Sequence, residues 1–164
     1  MKFSRCVILA SDLQFIRAES YVFGHVADEG WMNAQAGDLL RYRKNIDAEH
    51  ISIFTDIKKK HSAHQVTSDV SISETASAAS FFLSDGLIVT GNSTGAQANP
   101  NELKEVLTAI NIPVLIGSGI TPENVHEYSE AHGFIVGSYL KRNGNWKASM
   151  DEERCRIISE KIKR

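Results

Sequence analysis

Cysteine is scarce in this chain. Cys6 and Cys155 are the two among 164 residues, too few for a disulfide scaffold, so a reducing compartment is the default. Positive charge is not in excess either. Eighteen Lys and Arg stand against twenty Asp and Glu, whereas a nucleic-acid-binding domain ordinarily carries a basic face. No apolar run approaches the length that spans a bilayer, so no membrane partner is expected. The opening MKFSRCVILA places two basic residues before a short apolar patch, too brief for a secretory core and with no convincing cleavage site after it. The expected address is the cytoplasm, with a mitochondrial one left open. Low-complexity segments, long linkers and strict repeats are missing. So are the two dedicated nucleotide fingerprints: no glycine-rich loop ends in Lys-Ser/Thr, and GSGITP breaks the dinucleotide spacing.

What is present is an ordinary globular composition, 42% hydrophobic and 23% charged, over a length that suits one domain across residues 1–164. Residues 1–12 are ambiguous, a leader or a helix remnant, and Val7 to Ala10 fits a strand or a helix end. Beyond them a strand followed by a helix recurs. LQFIRAES, HISIFTDI, DGLIVTG, PVLIGSG and GFIVGS read as five strands. Helices are predicted over Ala34 to Arg43, after the Ser71/Glu74 capping box, over PNELKEVLTAI, from Thr121 with Pro122 at its first turn, and over Asp151 to Lys163. Such alternation implies parallel strands joined by crossovers. Two architectures fit: an open five-stranded flavodoxin-like sheet, or the last five βα units of an eight-stranded TIM-type barrel. Polar residues end all five strands, and barrel enzymes place chemistry on many strand ends at once, which favours the barrel.

The glycine loops are the first candidate site. TGNSTG, GSG and GS each follow a strand, where bare backbone amides hold an anion well. A turn glycine is the better reading for any one loop. The pair after the last two strands, Gly117, Ser118 and Gly119 with Gly137 and Ser138, matches the recurrent barrel phosphate site. Thr90, Gly91 and Asn92 then line the pocket, and the partner is a phosphorylated small molecule.

The charged strand ends are the second. Arg17 and Glu19 share one face of their strand with Phe15, and Asp56 and Lys58 share one of theirs with Ser52 and Phe54. Inward charges must be paired, so these four are expected to neutralise one another. Read as structure, they cap the core. Read as function, each shifts its neighbour's pKa, making Glu19 and Asp56 acid/base groups, Lys58 their electrostatic partner and Arg17 a substrate contact. Both readings stand. His61 and His64 stand three apart near Asp56, a spacing that can share a divalent metal; with no third ligand fixed, a solvated basic loop is the better account, as for Lys58, Lys59 and Lys60. His25, with Asp28, falls in the loop after the first strand, and Trp31 and Trp146 read as packing.

FIRAESYVFGHVADEGWMNAQAGDLLRYR, TDIKKKHSAH, DGLIVTGNSTG, PVLIGSGITPENV and GFIVGSYLKRNG together resemble the BtpA/SgcQ family, in that order and nearly throughout the chain beyond Leu13. The resemblance implies a TIM-barrel, phosphate-binding-type fold, with LQFIRAES as about the fourth strand and GFIVGS as the eighth. It brings a fold and a site more readily than an activity: the family carries a photosystem I link and members among sugar-utilisation genes, with no reaction common to it. Family members carry further βα units before Phe15, which makes this an N-terminally shortened chain with open barrel edges for a second copy or a partner chain to cover. An enzyme of isomerase, lyase or hydrolase type and a non-enzymatic assembly factor are both compatible with that resemblance.

Overall fold

A computed structural model describes residues 12–162; the Val7 to Ala10 patch lies outside them. The elements, in chain order, are β1 (Phe15–Ala18), β2 (His25–Ala27), β3 (Gly30–Met32), α1 (Ala36–Asn45), β4 (Ser52–Ile57), β5 (Ser62–Ala63), α2 (Ile72–Phe81), β6 (Gly86–Val89), α3 (Pro100–Ala109), β7 (Val114–Ile116), β8 (Gly133–Phe134) and α4 (Glu152–Ile162).

Five strands form one parallel sheet in the order β1-β4-β6-β7-β8. Each strand therefore lies beside the one that precedes it in this series. A flavodoxin-like sheet needs a reversal of order at a switch point, and none occurs. The architecture is that of a partial TIM-type barrel, and the open-sheet alternative falls away.

Alternation along the strands decides which residues meet the helices. Ile16, Ala18, Ile53, Ile57, Leu87, Val89, Val114 and Ile116 point to the helical side, where Ala36 and Leu39, Ala76 and Ala79, Leu103 and Val106, and Ile158 close the core. The other side is the inner face of the barrel. Register aligns Arg17 with Phe54, Phe54 with Gly86, and Asp56 with Ile88 on it. Phe15 packs edge-on against Phe54 at 5.6 Å and is 50% exposed, so this face is partly open to solvent. Gly86 lies where a Cβ would sit 2.2 Å from the Phe54 ring, so only glycine lets that ring lie flat on the sheet.

Helix starts follow their sequence signals. The Ser71 hydroxyl accepts from the Glu74 amide, and the Glu74 carboxylate accepts from the Ser71 amide, the reciprocal box that opens α2. Asn99 caps α3, with Pro100 in its first turn. The helix predicted from Thr121 does not form. The Asn124 side chain accepts from the Thr121 amide and donates to the Gly119 carbonyl, and only a short 3₁₀ turn, Val125–Tyr128, follows. This local bonding competes with an α-helical start.

A second, three-stranded antiparallel sheet in the order β3-β2-β5 is not apparent from hydrophobic periodicity. It joins the loop after β1 to the loop after β4. The hairpin turns at Asp28-Glu29 with Gly30 at φ 107°, and it places His25 on a strand rather than in a loop.

Candidate functional site

Two ion pairs order the ends of β1 and β4. Arg17 donates through Nε and Nη2 to both carboxylate oxygens of Asp56, at 2.7 and 2.6 Å. The Asp56 side chain is only 1% exposed, and burial pushes its carboxyl above the ordinary carboxylate range, against the pull of Arg17; Asp56 in turn raises the guanidinium. Glu19 pairs with Lys59 at 3.1 Å, and Lys59 lies 3.8 Å from Glu29. Lys59 is therefore not on a solvated face: it is 7% exposed and lies between Glu19 and Glu29, while Lys58 and Lys60 are half-buried. Lys58 is not a partner of either carboxylate. Its backbone is left-handed, φ 48°, and its ammonium donates to the Thr67 carbonyl at 2.9 Å. Burial and the nearby Arg17 lower the Lys60 pKa.

The glycine loops converge as well. Gly119, Gly137 and Ser138 line one pocket of about 290 Å³ together with Thr94, Tyr139, Trp146 and Arg154. Arg154 donates from Nε to the Tyr139 carbonyl and lies 4.1 Å over that ring, which fixes its plane at the pocket. Gly137 has only open space where a Cβ would project. Gly119, by contrast, has φ 71° and would place a Cβ 2.5 Å from the Gly91–Gln97 loop, at the Ala96 carbonyl.

The remaining predicted residues stand behind this pocket. Gly117 fits against Ile88, its amide donating to Val89. The buried Ser118 hydroxyl accepts from the Gly91 amide at 2.7 Å and donates to the Ala96 carbonyl at 3.0 Å, tying two loops together. Thr90 is buried, and its hydroxyl accepts from the Lys60 amide. Asn92 is exposed and holds His61 through its carbonyl. Thr90, Gly91 and Asn92 thus shape the loop rather than line the 290 Å³ pocket.

His61 and His64 diverge. The His61 Nε2 meets the Thr94 hydroxyl at 2.9 Å and accepts from the Thr94 amide at 3.2 Å, while the His64 Nε2 donates to the Lys59 carbonyl. Among the described residues no three His, Cys, Asp or Glu side chains gather to hold a metal ion. The tryptophans are not core packing either. Trp31 lies over Gly24 and donates to Asn33, and Trp146 is 63% exposed at the pocket.

Sequence reasoning missed Lys59, Thr94 and Arg154. Thr94 was within the quoted TGNSTG loop, but nothing in spacing tells which lysine of a run turns inward. Arg154 lies on α4, sixteen residues beyond Ser138, where only the folded chain brings it back.

The BtpA family profile matches residues 4–164. An uncharacterized mitochondrial protein of Caenorhabditis elegans is 55% identical over 148 residues, 90% of this chain and 53% of the relative. An uncharacterized protein of Archaeoglobus fulgidus is 35% identical over 91% of this chain and 57% of its own. The photosystem I biogenesis protein BtpA of Synechocystis is 32% identical over 90% and 51%. The chain spans about half the length of the curated relatives it matches. In fold it is similar to a chain in the crystal structure of the Amycolatopsis orientalis BexX/CysO complex, with a TM-score of 0.53 at 15% identity, covering 96% of this chain and 57% of that one.

Proposed function

The chain belongs to the BtpA family, and on that premise we propose that it binds a phosphorylated small metabolite at the pocket where Gly119, Gly137 and Ser138 meet Arg154. The convergence of those loops on one basic pocket carries the reading. Open backbone at Gly137 and the Ser138 hydroxyl offer donors, and a guanidinium suits a phosphate's paired oxygens. With only a 3₁₀ turn after Gly119, Arg154 takes over the charge that a helix N-terminus was expected to supply. Trp146 gives the carbon skeleton a wall. Gly117 and Ser118 hold the loops in place from behind.

Chemistry then belongs to the neighbouring strand ends. Glu19, half-exposed, is the acid/base group, with Lys59 in the place expected of Lys58. Asp56 holds Arg17 at the inner face. Isomerase, lyase or hydrolase chemistry suits such a mouth. The inner face exposed at Phe15 is the surface that a second copy or a partner chain covers. The cytoplasm remains the expected compartment, and the worm relative's name adds a mitochondrial alternative.

A non-enzymatic assembly role, after the Synechocystis relative's name, is the second reading, favoured by the exposed cluster of Phe81, Phe82 and Leu83. Calorimetric titration with inorganic phosphate and a panel of phosphosugars separates the two. A ligand at about 100 times its dissociation constant adds about 2.7 kcal/mol of stability, and Arg154→Gln is expected to abolish that gain. Absence of binding by the native chain leaves the assembly role.

A further inference from the structure

His25 is 5% exposed, and its Nε2 has no hydrogen-bond partner. A buried polar atom left unpaired costs free energy, so its surroundings decide what it is for. The ring's other nitrogen donates to the Phe23 carbonyl, which leaves a lone pair on Nε2. The ring lines a small cavity with about 20 Å³ of room for the centre of a water, enough for one molecule. Glu19, Asp56, Lys58, Lys59 and His64 line it.

The cavity is held by strain. Phe23 and Lys58, both on its wall, have φ of 56° and 48°, values that bulky side chains rarely adopt. The His64 ring lies 5.1 Å from that of His25 and is anchored by its bond to the Lys59 carbonyl. The exposed Glu19 and Phe23 put one wall of the cavity at the surface.

We propose that His25 is the proton acceptor of a water-activating site, holding one water at Nε2 and directing it toward a ligand at the ends of β1 and β4. In the step the water's O–H bond breaks, and its electron pair stays on oxygen. The proton moves to Nε2, and the oxygen adds to an electrophilic carbon or phosphorus of the ligand; the bond broken there sends its electron pair to the leaving group in a hydrolysis, or to the second atom of the double bond in a hydration, and that atom takes the proton back from the imidazolium. Burial above all favours the neutral resting ring, with His64 and Lys59 acting in the same sense, and the Glu19 carboxylate offsets the imidazolium charge. The reaction class is hydrolysis or hydration. This proposal stands independently of the phosphate pocket.

Long-range proton–nitrogen NMR on the ¹⁵N-labelled chain tests it, with His25 assigned by a His25→Gln variant. The expected result is a bare Nε2, a protonated Nδ1 and a rotating-frame cross-peak from the His25 ring to a long-lived water. The His25→Phe variant should remove that cross-peak while His64 keeps its own pattern. If this variant does not fold, the native spectrum decides alone. A proton on Nε2, no water at the ring, or a water that persists in His25→Phe would overturn the proposal.

Discussion

Arg17 and Asp56 form a two-pronged ion pair between neighbouring parallel strands, and the two partners differ sharply in their access to water: side-chain exposure is 28% for Arg17 and 1% for Asp56. The pair should therefore break asymmetrically. Arg17→Met strands a buried carboxylate and is expected to cost about 3–5 kcal/mol, whereas Asp56→Asn leaves a guanidinium that water can reach and should cost about 1–3 kcal/mol. Burial already raises Asp56, so in Arg17→Met the carboxyl rises further. That variant should gain stability as pH falls through the raised value and lose it as pH rises. Urea unfolding across pH checks both, and equal costs would show that Arg17 is as buried in function as Asp56.

Gly119 and Gly137 were equivalent as loop glycines in the sequence, and the structure separates them. Gly119→Ala meets the Ala96 carbonyl and a left-handed backbone, so it should cost about 2 kcal/mol or more. Gly137→Ala enters open space and should change stability by no more than about 0.5 kcal/mol. Gly137→Val is accordingly the clean pocket variant: its melting temperature should stay near the native one while phosphate binding is lost.

Replacing Ser71 by Ala removes the cap of α2 and is expected to lower stability by about 1 kcal/mol. The Ser71 amide, which Ser71→Ala keeps, and the Ser71 hydroxyl, which it loses, both hold the Glu74 carboxyl below its usual range. Their contribution is complete above the unfolded value and fades as pH falls through the folded one. Thermal melts of Ser71→Ala should show a smaller acid-side decline than those of the native chain.

His25 gives a second acid-side signature. Burial, seconded by His64 and Lys59, lowers its pKa from 6.5, while the Phe23 carbonyl and Glu19 act in the opposite sense. As pH falls through 6.5 the unfolded chain takes up a proton that the folded chain refuses. Stability from this group is thus complete above 6.5 and lost as pH falls through the folded value. Denaturant midpoints should decline over that window, and His25→Gln should flatten the decline.

The parallel sheet, the α2 capping box and the mutual neutralisation of strand-end charges that includes Arg17 and Asp56 were legible because each rests on local periodicity, a short motif or facing charges. The hairpin of β2 and β3 was not, since three-residue strands are too short to show alternation. Lys59 escaped for a related reason. Strand alternation from Asp56 points to Lys58, but the left-handed backbone at Lys58 resets the alternation and turns the next lysine inward. The helix after Gly119 was over-read: Thr121 and Pro122 are good start signals, yet the Asn124 side chain bonds back to both sides of them.

The sequential strand order has a consequence for how the chain is made. In the series β1-β4-β6-β7-β8 each new strand docks on the strand of this sheet that precedes it in the chain, the first three crossovers each carrying one α-helix and the last only a 3₁₀ turn. No step waits for a distant segment, so loop-closure entropy stays low and pairing can keep pace with emergence from the ribosome. Until the next strand arrives, the growing edge carries unpaired amides and carbonyls. β8, with two residues, ends that succession on the shortest edge in the sheet and offers a neighbouring nascent chain little to pair with.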